Sequence, residues 1–152
     1  MNAAPFRQIG QWWEELWTSP PLVSGWLAGW LGDRGERLAA RYLRRHGYRI
    51  IARRYRTRMG EIDLIARQGE WLVFIEVKTR RSSSAGHPFE AVTAAKQRQL
   101  TRLAYAFLKR YRCLSLRARF DVVAVIDPGN RQPVQIEHRQ NAFEPADIGQ
   151  NC

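Results

Sequence analysis

The stretch MGEIDLIARQGEWLVFIEVKTR, Met59 to Arg80, places Glu61, Asp63, Glu76 and Lys78 in two short apolar runs separated by a glycine. Val or Ile would pack better at each of these positions, so the charges call for a chemical reason. Carboxylates brought together on a partly buried surface repel unless one is protonated or a cation lies between them. Carboxylate oxygens from two strands, a backbone carbonyl and waters suit a hard ion such as Mg²⁺ or Mn²⁺. Lys78 follows Glu76 by two residues and so points the same way along a strand. It is placed to orient a water or to offset charge growing on a phosphate. The bland alternative is a solvent-facing ladder of Glu and Lys, but that would expose Leu72 and Phe74 with them.

Whether the acids meet depends on hairpin register, because side chains alternate between faces. A two-residue turn at Gln68-Gly69 pairs Asp63 with Phe74 and leaves Glu76 diagonal to it. A four-residue loop pairs Asp63 with Glu76 directly, and a three-residue loop puts them on opposite faces. The spacing predicts strands over Gly60 to Ala66 and Trp71 to Thr79, preceded by a strand over Tyr48 to Tyr55. A helix is predicted from Asp33 to His46, where Glu36, Ala39, Ala40 and Leu43 recur on one face and Gly47 ends it. Glu36 therefore points inward, although Asp33 and Glu36 also read as a capping box. After a Ser/Gly/Pro loop, Phe89 to Arg112 is predicted to be a long helix with Val92, Leu100, Leu103, Phe107 and Tyr111 buried. Lys96, Arg98, Arg102, Lys109 and Arg110 form its expected basic, exposed side. Strands over Arg119 to Ile126 and Pro133 to Glu137 complete an α/β domain in the order α-β-β-β-α-β(-β), with a mixed central sheet.

The chain has 152 residues, room for one domain plus an extension. Residues 1–32 hold five of the six tryptophans and form an expected N-terminal extension, loosely docked or used for partner docking. Residues 33–143 form the expected domain and 144–152 a tail. With 25 Lys and Arg against 14 Asp and Glu, the net charge is +11, which favours a polyanionic partner. Nucleic acid leads, and a membrane surface is the weaker candidate. Cys113 and Cys152 make neither a zinc pattern nor an expected disulfide. The apolar run Leu22 to Leu31 falls short of the roughly 20 residues a span needs, so the expected location is cytoplasmic.

The segments GERLAARYLRRHGYRIIARRYRTRMGEIDLIARQGEWLVFIEVKTR, AVTAAKQRQL and RFDVVAV closely resemble the YraN-like (UPF0102) family. That family resembles the PD-(D/E)xK nucleases, near the archaeal Holliday-junction resolvases. The resemblance runs from about Gly32 to Phe143 and implies a restriction-endonuclease-like core and a metal-dependent nuclease acting on DNA, with branched or junction DNA as a natural substrate. It places the metal-binding acids at Asp63 and Glu76, a carbonyl ligand at Val77, the lysine at Lys78 and a helix-borne acid at Glu36. Gln97 falls where related resolvase-like proteins place a polar site residue. No proline precedes Asp63, so Glu61 becomes an alternative ligand. Arg53, Arg54, Arg56, Arg58, Arg80 and Arg81 are the expected phosphate-contacting rim. Resolvase-like action would call for a homodimer. The alternative reading is a nucleic-acid-binding protein that keeps the nuclease fold without its activity.

Overall fold

The computed structural model describes residues 30–148 other than 83 and 85. The expectations for the Trp-rich segment up to residue 29 and for the last four residues lie outside that range. The elements are α1 (Trp30–Arg45), β1 (Arg49–Thr57), β2 (Gly60–Gln68), β3 (Trp71–Arg80), a 3-10 turn at Pro88–Ala91, α2 (Ala94–Arg110), β4 (Arg117–Ile126) and β5 (Gln135–Phe143). The five strands form one sheet in the order β1-β2-β3-β4-β5. Only β3 and β4 run parallel, in register from Trp71 opposite Arg117 to Arg80 opposite Ile126, and α2 makes the crossover between them. The order and the mixed sheet are those expected, consistent with a restriction-endonuclease-like core.

The sheet is covered on both faces. On one, Ala39, Ala40 and Leu43 of α1 pack against Leu64, Val73, Ile75, Val123 and Val125. On the other, Leu100, Leu103 and Phe107 of α2 pack against Ile62, Ile65, Phe74, Phe120 and Val122. Strands buried on both faces read as continuous apolar runs, as LVFI of β3 and VVAVI of β4 do. Gly35 sets how close α1 comes to the sheet. A Cβ there would lie 2.0 Å from Thr79 Oγ1, 3.1 Å from its Cβ and 3.2 Å from its Cγ2, so no rotation of Thr79 clears it. Gly35→Ala is expected to destabilise the protein by about 1–3 kcal/mol through overpacking. A thermal melt checks this; a variant as stable as the parent would show that α1 can back away freely.

Most boundaries differ from the sequence expectation by one or two residues, and four differences have a clear physical reason. α1 begins at Trp30, so Asp33 lies inside it and is not its N-terminal boundary. A glycine inside a helix costs only about 1 kcal/mol, so Gly32 does not stop it. α2 begins at Ala94, not Phe89, because the Thr93 hydroxyl accepts the Lys96 amide at 3.2 Å and caps the helix there. The hairpin turns at Gly69-Glu70, one residue later than expected, with Gln68 opposite Trp71 and Gly69 at φ +57°. The last strand runs to Phe143, well past Glu137. Its EHRQN segment reads as loop by composition, but an edge strand with a wet face tolerates such residues.

Candidate metal centre

The β2–β3 ladder pairs Gln68 with Trp71 through to Leu64 with Ile75 and ends there. Continuing the register puts Asp63 opposite Glu76, the direct pairing that the sequence expectation assigned to a four-residue loop. Here a two-residue turn, shifted by one position, achieves it. Beyond Ile75 the strands part, and the Val77 amide donates to Asp63 Oδ2 at 2.7 Å. A side-chain oxygen thus replaces the missing ladder carbonyl. A residue's N–H and C=O point to the same edge of a strand, so the Val77 carbonyl faces the same fork.

A kink changes how the acids gather. Ile62 and Ile65 both pack on the α2 side, while Leu64 and Ala66 pack on the α1 side, so strict alternation breaks at Asp63. On β1, Ala52 and Tyr55 likewise both face α2, and the intervening Arg54 takes φ +51°. By register Arg54 lies opposite Asp63. Both strands therefore kink at one level, and Asp63 turns into the plane of the sheet. The expected single face for Asp63, Glu76 and Lys78 gives way to a convergence from several directions. Glu36 comes from α1, Asp63 lies in the fork, and Glu76 faces α2, where Lys96 Nζ reaches its Oε1 at 3.5 Å.

Ligand oxygens of Glu36, Glu61 and Asp63 all lie within 4.8 Å of one another. Glu36 is 9% exposed and takes a hydrogen bond from Arg54 Nε at 2.7 Å. Glu61 pairs with Arg56. Glu76 is 4% exposed; Lys78 Nζ lies 2.9 Å from its Oε1, but its Oε2 is buried with no hydrogen-bond partner. A carboxylate oxygen left unsatisfied in the interior is costly and asks for a cation. Burial, reinforced by Glu76 and by the more weakly felt Glu36, pushes the Asp63 carboxyl up to about 7 against the opposing pull of the Val77 amide and Lys96. Crowded, dehydrated carboxylates with one oxygen unsatisfied form an oxygen-donor set that fits Mg²⁺ or Mn²⁺.

Lys96 was expected on the exposed side of its helix. It lies four residues before Leu100, which places it on the buried stripe, and that spacing was the signal for its role. Gln97 instead folds back, its Nε2 donating to the Val92 carbonyl at 3.1 Å. Of the six rim arginines, Arg54 and Arg56 are engaged by the acids and Arg80 donates to the Thr79 carbonyl at 3.2 Å. Arg53 is half-buried in β1, and Arg58 and Arg81 are exposed. Among the described residues no helix is long and apolar enough to cross a membrane.

A second polar cluster escaped the sequence reading. Asp121 on β4 is fully buried, and its carboxylate accepts from Arg119 Nε at 2.9 Å, Tyr48 Oη at 3.1 Å and the Asn141 amide at 3.0 Å, with His138 Nε2 at 2.9 Å. The lone acid in the apolar run RFDVVAVI was its only trace.

Comparison with known proteins returns one consistent grouping. The sequence pattern of the uncharacterised protein family UPF0102 matches residues 35–125. A UPF0102 protein of Geobacter metallireducens is 51% identical over 116 residues, covering 76% of this chain and 93% of that relative. Another, of Rhodococcus opacus, is 53% identical over 113 residues, covering 74% and 95% respectively. A third, of Symbiobacterium thermophilum, is 54% identical over 113 residues with the same coverage, 74% and 95%.

Proposed function

This chain belongs to the UPF0102 family, and from its site we propose a metal-dependent nuclease that hydrolyses DNA phosphodiester bonds. The observation that carries this reading is the buried, unsatisfied Glu76 Oε2 beside an Asp63 carboxyl raised to about 7. Asp63, Glu76 and the Val77 carbonyl would hold the ion, with Glu36 or Glu61 completing its shell directly or through water. When bound, such an ion lowers the pKa of a water and offsets charge developing on the phosphate. Lys78 orients the attacking water or neutralises the phosphate, held in place by its contact with Glu76. Arg54 holds the Glu36 carboxylate toward the fork, which is a positioning role. Lys96 offsets part of the charge of Glu76.

Branched or junction DNA is the favoured substrate, in keeping with a basic surface that contacts backbone more than bases. Arg58 and Arg81 are the exposed phosphate contacts in this scheme. Replacing both with Ala is expected to weaken binding uniformly across sequences and to lower the salt slope by about 2. Binding titrations at several salt concentrations check this, and an unchanged slope would remove both residues from the interface.

The deciding assay incubates purified protein with Mg²⁺ or Mn²⁺ on branched, flapped and linear DNA, beside Asp63→Ala and an EDTA control. Cation-dependent cleavage by the parent alone supports the proposal. A second reading, a non-catalytic nucleic-acid-binding protein, is favoured by the internal ion pairs of three of the four acids: Glu36 with Arg54, Glu61 with Arg56 and Glu76, through one oxygen, with Lys78. Binding without cleavage on every substrate selects it.

A further inference from the structure

Away from the fork, a cavity of about 450 Å³ is lined by Tyr42, His46, Tyr48, Gln68, His138 and Gln140. Its floor is a closed hydrogen-bond network. The Tyr48 hydroxyl donates to Asp121 Oδ2 at 3.1 Å and accepts from Arg119 Nη2 at 2.8 Å and Gln140 Nε2 at 2.7 Å, so its capacity is filled. Arg119 Nη2 also donates to Gln68 Oε1 at 2.6 Å. These contacts fix the sense of both amides. Gln68 has committed its oxygen and keeps two N–H donors. Gln140 has spent one N–H and keeps a second, together with its acceptor oxygen.

The wall is aromatic. The Tyr42 and His46 rings stack with centroids 4.0 Å apart, and His46 Nδ1 lies 2.8 Å from the Tyr42 carbonyl. Only an N–H can make that bond, so in the neutral ring Nε2 is an acceptor. Exposed Trp71 lies on the same side, its ring 5.6 Å from the Arg119 guanidinium. None of the six lining side chains carries a fixed positive charge, so the cavity is not built for a phosphate. An apolar ligand would strand the amides. Stacking rings combined with amide donors and an acceptor match a planar heterocycle with a mixed polar edge, as single-strand readers use.

Position adds the second line of reasoning. Glu36 and the cavity residue Tyr42 share α1, about 9 Å apart at 1.5 Å per residue, and His46 follows the last residue of that helix. Asp63 and Gln68 share β2, about 17 Å apart at 3.4 Å per residue. Between Glu36 and His46 the exposed side of α1 carries Arg37, Arg41, Arg44 and Arg45. We propose that this cavity takes an unpaired nucleobase of a strand whose backbone runs over α1. At 3.4 Å per stacked nucleotide it lies roughly three to five nucleotides from the phosphate at the fork. The strand and that spacing rest on the nuclease reading.

The test uses full-length Asp63→Asn protein in EDTA, so that binding is read without cleavage. A labelled single-stranded 15-mer is compared with a strand of the same length carrying abasic residues, and with free deoxynucleoside monophosphates. Gln140→Ala and His46→Ala are made on that background; both sites are exposed, and melts verify folding. Either change is expected to weaken the base-bearing strand about tenfold and the abasic strand less than twofold. A single 2-aminopurine moved along the strand should be quenched at one position only. Equal loss on both strands, or no loss, overturns the proposal, as does saturation by a free nucleotide without strand binding. Strand binding indifferent to bases sinks the base site alone, whereas absence of cleavage by the parent protein sinks the nuclease reading and the spacing drawn from it, while a base-dependent loss in the two variants still establishes the base site.

Discussion

Asp63→Asn is expected to make the metal-free protein more stable at pH 8 while abolishing both cation response and cleavage. The Asp63 carboxyl is raised from 3.8 to about 7, burial first and Glu76 second. Between those values the native state holds a proton that the unfolded chain has released. The native state therefore loses stability as pH rises from about 4 to 7, and above 7 the whole penalty is present. A shift of about three units corresponds to at most ~4 kcal/mol at 1.36 kcal/mol per unit. Asn cannot ionise, and its amide oxygen can still accept the Val77 amide, so the variant should show a flat profile over this range. In the parent, Mg²⁺ at a hundred times its Kd should return about 2.7 kcal/mol at pH 8; in the variant it should return nothing. Melts from pH 4 to 8, with and without Mg²⁺, read all of this. A variant less stable than the parent at pH 8 would mean that the fork is not a site of stored charge repulsion.

The other large effect lies at Asp121, away from the proposed chemistry. Burial alone would raise its carboxyl, but hydrogen bonds from His138, Arg119 and the Asn141 amide outweigh burial and hold it below the ordinary carboxylate range. A lowered folded value means stability that is present above about pH 4 and lost as acid protonates the group. Asp121→Ala leaves the Arg119 guanidinium and the Tyr48 and His138 donors without their acceptor. Removing one partner of such a buried network costs about 3–5 kcal/mol, which lowers the melting temperature by roughly 10–15 °C in a domain of this size. Asp121→Asn keeps the shape and part of the bonding and should lose less. If the Ala variant melts within 3 °C of the parent, the network is ornamental and the glutamines above it are not held by it.

The two sites differ in how far the sequence revealed them. At the fork, Asp63, Glu76 and Lys78 were legible because each interrupts an otherwise apolar run, whereas Glu36 read equally as a helix cap and only the family resemblance singled it out. Lys96 was legible in principle, at helical spacing before Leu100, but the basic residues around it masked the pattern. Asp121 announced itself only as one acid in an apolar strand, since its partners Tyr48, Arg119 and His138 are widely separated along the chain. The α1 start and the end of β5 were misplaced for one reason: glycine and polar residues lower local propensity by amounts that packing readily overrides.

Amphipathic periodicity, turn glycines and the charge interruptions are local properties, so the sequence by itself determined the order of elements, the mixed α/β class and the acids that interrupt the two hairpin strands. Register, kink and burial arise from contacts between distant segments. Only the tertiary structure decided that the hairpin turns at Gly69-Glu70 and that Arg54 and Asp63 break alternation together. It alone placed Asp63 in the plane of the sheet and left one oxygen of Glu76 buried without a partner. The desolvation and charge crowding that make those acids chemically unusual exist only once α1, the strand fork and α2 close around them.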